Sequence, residues 1–367
     1  VRFRVWAPRC RRVEVEIVAP DPPRRLPLAP GAAGLFEAVV PGLRPGARYL
    51  YCLDAGAGRP DPVSRFQPTG VHGPSAVVDP GAFPWTDAGW RGVPLADLRL
   101  YELHVGTFTP AGTFEAAIAH LPELRELGLT AVELMPVAEF PGPRNWGYDG
   151  VHLFAPQSSY GGPDGLRRLV DAAHRVGLAV ILDVVYNHLG PEGNYLAEFA
   201  PYFTDSRTPW GEGLNWDGAG SAGVRRHIVG NACAWILEYH LDGLRLDAVH
   251  AIRDASPVHV LAELGDAVAA RARDLGRAVH VIAESNRNER RIVLPRSQGG
   301  LGLATQWSDD LHHALRVTLG GARGGYYDDF PGGLDDLEVA LRDAWVYQGR
   351  LSTFRGFVLG TSSAGLP

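Results

Sequence analysis

The 367 residues include no lysine, a single methionine (Met135) and three cysteines. All 35 strongly basic side chains are therefore arginine, as a GC-rich coding sequence would give. Cys10, Cys52 and Cys233 are scattered and odd in number. That excludes a disulfide framework and a cysteine metal knuckle, and it suits a reducing cytosol. Basic residues form only short groups such as Arg9, Arg11 and Arg12, so the electrostatic footprint of a nucleic-acid binder is missing. No apolar run approaches the roughly 20 residues that span a bilayer. No charged-then-apolar leader opens the chain. A cytoplasmic protein with neither nucleic acid nor membrane as partner is expected. What is present is 46% hydrophobic and 21% charged residues with a net charge of −6, a composition that supports a packed core. At about 150 residues per domain, the length predicts two or three domains.

Residues 1–95 and 96–367 differ in pattern. In the first part, Val1 to Trp6 and Val13 to Ile17 alternate with period two, and Phe36 to Val40 and Tyr49 to Leu53 are further short strands. Turns at Asp21-Pro22-Pro23, Pro41-Gly42 and Pro45-Gly46 separate them. This spacing predicts a small immunoglobulin-like β-sandwich, followed by an irregular connector over 59–95. From Leu98 onward, helices alternate with buried strands. A helix capped by Thr113 carries Phe114, Ile118, Leu121 and Leu124 on one face and ends at Gly128. Helices over 164–176 and 257–275 stop at Gly177 and Gly276. Strands are predicted to start at Leu98, Leu129, Leu178, Gly243, Ala278 and Ala304. Continuous apolar strands between helices indicate a parallel sheet covered on both faces. Polar groups gather just after several different strand ends, which favours the C-terminal face of a (β/α)8 barrel. No glycine-rich phosphate loop follows the first strand, against a dinucleotide fold.

Four segments carry the chemistry: Asp183-Val-Val-Tyr-Asn-His188, Gly243-Leu-Arg-Leu-Asp-Ala-Val-His250, Ala283-Glu-Ser-Asn286 and Asn145-Trp-Gly-Tyr-Asp149. Asp247 and Glu284 each end an apolar strand. An unpaired ion buried there would cost several kcal/mol, so such carboxylates are paired or functional. Two carboxyl groups facing one pocket are what glycoside hydrolysis requires, one as nucleophile and one as acid then base. His312 and His313 invite a metal reading, but no third ligand has the spacing.

These segments resemble the signature regions of the α-amylase family of glycoside hydrolases, which are (β/α)8 barrels with retaining chemistry. The resemblance implies that Asp247 is the nucleophile, Glu284 the acid/base, and Arg245 the residue orienting Asp247. It implies that Tyr148, Trp146, His188, His250 and Asp309 contact sugar, with Asp183 and Asn187 as buried organisers. A β-domain before the barrel is similar to the branching, debranching and trehalose-releasing members. Asp242 to Ile252 followed by Ser256-Pro257, Trp307 to His313, and Tyr326-Tyr327 look like the trehalose-releasing ones. The implied partner is a malto-oligosyltrehalose or related α-glucan, with no cofactor, no obligatory metal and a monomeric state. A branching enzyme with the same barrel and a transferase outcome stays open, as does an inactive, glucan-binding fragment. The family's third acid, an Asp beside a His after strand seven, has no counterpart in Phe354 to Pro367. Six strand–helix units occupy Leu98 to Arg350, and eight would need roughly another 80 residues. An incomplete barrel, short of its last two units and of any C-terminal β-domain, is expected, with low turnover for these residues alone.

Overall fold

The computed structural model describes residues 1–20 and 22–366; of the turn at 21–23, Asp21 lies outside the described residues. The N-terminal strands form two antiparallel sheets. One joins Arg2–Trp6, Leu35–Val39 and Ala29–Pro30. The other joins Arg24–Pro27, Val13–Ala19, Arg48–Leu53 and Gly58–Arg59, with Ser75–Ala76 beside the long strand. Period-two alternation sends Phe3, Val5, Val13, Val15, Ile17, Phe36, Tyr49 and Tyr51 inward, all buried. The strands not expected from sequence are short edge pieces. Pro27 and Pro30 sit in them, and a proline is tolerated in a sheet where no ladder N–H is needed.

Six parallel strands follow, which we number β1 (Leu100–Leu103), β2 (Ala131–Leu134), β3 (Ala179–Val184), β4 (Gly243–Leu246), β5 (His280–Glu284) and β6 (Thr305–Trp307). They pair in sequence order, each with the next. Sequential parallel order with a helix after most strands is the topology of part of a (β/α) barrel. Every residue of β2, β3 and β4 is buried, as expected for strands covered on both faces. Helix Gly162–Arg175 buries Leu166, Leu169, Val170 and Ala173, and helix Val260–Leu275 buries Val260, Leu261, Leu264 and Val268. The stop residues Gly128, Gly177 and Gly276 have φ of +86°, +80° and +61°, conformations that L side chains resist.

Two elements depart from the sequence reading. The single helix expected from Thr113 to Gly128 is two, Phe114–Ile118 and Leu121–Glu126. Thr113 does cap the first, its hydroxyl accepting from the Ala116 N–H at 3.2 Å. Pro122 breaks the run, because its ring lacks an N–H for the Ile118 carbonyl and clashes with it. Helix Ser221–Glu238 had no clear signal. Its buried stripe carries His227 and Asn231 among Val224, Ile228, Ala232 and Trp235, so the apolar period is interrupted. Asn231 is satisfied by Tyr186 Oη (2.6 Å), Trp235 Nε1 (3.1 Å) and the Leu153 carbonyl (2.8 Å).

The connector is irregular, as expected, but firmly held near the N-terminal ends of the strands. His174 donates from Nδ1 to Asp87 and from Nε2 to Asp242, both at 2.9 Å. Asp87 also accepts from His240 Nδ1 (2.8 Å) and Arg277 Nη2 (2.9 Å). Asp242 also accepts from Trp90 Nε1 (2.6 Å) and the Val180 N–H (2.9 Å). Trp90 stacks on His174 and Trp85 on His240. Burial alone would lower the His174 pKa, but the two carboxylates raise it above the ordinary imidazole value.

Candidate active site

The site is built at the opposite, C-terminal ends of β3, β4 and β5. Register sets it. Asp183 of β3 pairs with Arg245 of β4, and Leu246 of β4 pairs with Ala283 of β5. Asp247 and Glu284, one residue beyond that second pair, therefore stand on adjacent strand ends.

Arg245 is the hub. One of its nitrogens, Nη1, donates to both oxygens of Asp183 (3.0 and 2.9 Å) and to Asp247 Oδ1 (2.9 Å). Its guanidinium carbon lies 5.1 Å from the centre of the Trp307 ring, within cation–π range. Burial works against the charge, but Asp183 and Asp247 hold Arg245 above its ordinary pKa. Asn187 Nδ2 takes the other oxygen of Asp247 at 2.8 Å and its carbonyl at 2.9 Å. Both Asp247 oxygens are thus held by donors. Tyr148 donates its hydroxyl to Asp183 Oδ2 at 2.9 Å. Asp183 is buried.

Glu284 is held differently. Its Oε2 accepts the Ala248 N–H at 2.7 Å. Ala248 has φ +43°, a strained conformation for alanine that turns this N–H toward Glu284. Burial raises the Glu284 carboxyl, with Arg245 and the Ala248 N–H opposing. Two carboxyl groups on neighbouring strands thus have unlike surroundings, one charge-paired and one desolvated.

Other expected residues surround this pair. His188 is buried, bonds the Asn187 Oδ1 and the Tyr148 carbonyl, and stacks on Trp210. Burial lowers its pKa. His250 lies in the turn Val249–Ala251 with Nδ1 buried and without a hydrogen-bond partner. Asp309 opens helix Asp309–Gly320, and its charge is felt by Glu284 and His250. Trp146 stands apart, 61% exposed, packed on His104 at the rim of a groove of about 560 Å³ that Thr107, Pro143 and Arg144 also line. His313 stacks on Tyr326. In the first 95 residues, Trp6 packs on Tyr202 and Trp85 on His240.

Sequence reasoning missed the Ala248 N–H, the Trp210 stack and the Trp307 platform. Only Trp307 had a signal, as an aromatic ending the sixth strand. It also missed Glu133. This residue of β2 is fully buried with neither carboxylate oxygen hydrogen-bonded, and burial, reinforced by Asp183, pushes its pKa to about 8. Glu102, Glu133 and Asp183 bring one oxygen each within 4.8 Å of one another, the one such group of three ligand-type side chains among the described residues.

Consecutive parallel strands, with an Asp–Arg–Asp array and a desolvated Glu at their C-terminal ends, define the catalytic domain of an α-amylase-type glycosidase. Residues 86–211 match the alpha amylase catalytic domain family, and residues 1–68 match carbohydrate-binding module 48, the isoamylase N-terminal domain. Over these residues the chain is similar to the α-amylase family. In particular it is similar to two curated proteins named malto-oligosyltrehalose trehalohydrolase. The one from Saccharolobus solfataricus is 47% identical over 100% of this chain and 64% of the relative. The one from Deinococcus radiodurans is 46% identical over 97% and 56%. The crystal structure of a Salmonella typhimurium protein assigned to the α-amylases superposes with a TM-score of 0.90 at 43% identity, covering 100% of this chain and 62% of that one. The chain thus spans less than two thirds of the length of the relatives it matches.

Proposed function

We propose that the protein is a retaining glycoside hydrolase that cleaves the α-1,4 bond next to the terminal α,α-trehalose of a malto-oligosyltrehalose, releasing trehalose. The observation that carries this is the pairing of Asp247, charge-held by Arg245 and Asn187, with the desolvated Glu284 on the next strand end. Asp247 attacks the anomeric carbon while Glu284 protonates the departing trehalose oxygen. Water, deprotonated by Glu284, then releases the glucan from Asp247 with net retention. His188, Tyr148, His250, Asp309 and Trp146 bind sugar, and Asp183 and Asn187 keep Arg245 and Asp247 in place. The substrate assignment rests on the similarity to the named relatives. We read residues 1–95 as the β-sandwich with its connector and 96–367 as (β/α)8 barrel units, in a monomer of the cytoplasm. The three cysteines are free.

The test is incubation of the protein with malto-oligosyltrehalose, free trehalose being assayed and the anomer of the products followed by NMR. Trehalose with retained configuration is expected, at low turnover for these 367 residues alone. New branch points with no trehalose would mean a transferase, and binding of the glucan without turnover a binding role; either overturns the reading.

A further inference from the structure

From the carboxylates that converge one layer below Asp247, we infer a calcium-sized cation site formed by Glu102, Glu133 and Asp183 inside the sheet's concave face. Three strands supply it. Glu102 of β1 and Glu133 of β2 are register partners and point the same way, and Asp183 of β3 leans in from the layer above. No pair of the three oxygens is more than 4.8 Å apart. Oxygens this close can share one ion after small side-chain adjustment, and the flexible shell of Ca²⁺, with bonds of roughly 2.4 Å, suits such a site better than the rigid octahedron that Mg²⁺ demands.

Two observations point to a ligand rather than to chance crowding. First, Glu133 is 0% exposed and both of its oxygens lack any hydrogen bond. A buried carboxylate without a donor is costly, and a hard cation is the partner that carboxylates share. Secondly, charge at this end of the sheet is unbalanced. Glu102, Glu133, Asp183 and Asp247 face one guanidinium, and Arg245 spends it on Asp183 and Asp247 through a single nitrogen. Nothing positive is bonded to Glu133. Water can complete the shell. The consequence for the neighbouring site is mechanical: an ion on Asp183 fixes the carboxylate from which Arg245, and through it Asp247, is positioned.

The chain as it stands, stripped with chelator and titrated with CaCl₂ in a calorimeter at pH 7.5, tests this. One site per chain is expected, with MgCl₂ binding at least tenfold more weakly, and a Tm that rises with Ca²⁺ and falls back with EDTA. Glu133→Gln should weaken Ca²⁺ at least tenfold. Glu102→Gln, at an exposed position that leaves folding intact, should weaken it severalfold, with far-UV circular dichroism confirming that both variants are folded. Absence of heat and of any Tm change would overturn the proposal, as would Mg²⁺ binding as tightly as Ca²⁺ or unchanged affinity in folded Glu133→Gln. None of these readouts depends on glycosidase activity, so the cation site and the proposed reaction stand or fall separately.

Discussion

Replacing His174 by leucine should be among the most damaging single changes in the chain, although it lies at the far end of the sheet from the catalytic pair. The side chain is 1% exposed and bridges Asp87 and Asp242, themselves 2% and 1% exposed, by two bonds of 2.9 Å. Leucine fills much of the volume but removes the charged donor from both aspartates. Asp87 keeps His240 and Arg277, and Asp242 keeps Trp90 and the Val180 N–H, so neither is stranded outright. Two charge-assisted bonds at about 1.5–3 kcal/mol each give a loss of roughly 3–6 kcal/mol. For a domain of this size that is an apparent Tm lower by about 10 °C. Urea unfolding followed by tryptophan fluorescence measures it directly, since Trp90 stacks on His174 with ring centres 4.6 Å apart. The pH dependence has a definite sign. The folded-state pKa of His174 is raised, so its contribution is complete below the unfolded value of about 6.5 and fades as pH climbs through the folded value. The gap between wild type and variant should therefore be larger at pH 6 than at pH 9. A gap below about 1 kcal/mol at pH 6, or one that widens at pH 9, would refute the reasoning.

Further outcomes follow from the site and its supports. Glu284→Gln should lower kcat about 10²–10⁴-fold on malto-oligosyltrehalose while leaving substrate binding within a few-fold, measured by steady-state kinetics and calorimetry. Because burial raises Glu284, the proton needed for its acid role should persist above the ordinary glutamate range, and the alkaline limb of kcat/KM should lie correspondingly higher. Arg245→Leu leaves Asp183 buried without its ion-pair partner and should cost about 3–5 kcal/mol in urea unfolding. Thr113→Ala removes one cap bond and should cost about 1 kcal/mol, with no effect on the catalytic pair.

Much of the fold was legible because its signals are local. Period-two alternation marked Phe3, Val5, Val13 and Val15 as inward-facing, and all four are buried. Helix, glycine and apolar strand recurred in the order that the sheet adopts, since a parallel strand must be followed by a crossover before the next can pair. Asp247 and Glu284 were recognisable because charged groups at the ends of apolar strands need a partner or a task, whereas Asp183 and Arg245 were marked by the resemblance to the α-amylase family. Where the local signal was mixed, the reading failed: Pro122 split a helix, and His227 with Asn231 interrupted the stripe of another.

Sequence by itself determined which faces are buried, where strands end and which carboxylates lie at those ends, because side-chain period and chain punctuation are properties of neighbouring residues. Tertiary structure alone decided partnership. Strand register put Asp247 beside Glu284, aligned Arg245 with Asp183, and set Glu133 opposite Glu102. Chain folding brought Asp87 and Asp242 onto one histidine. Pairing across such separations is settled by hydrogen-bond register and by the cost of burying a charge alone, and neither is visible until the strands lie side by side.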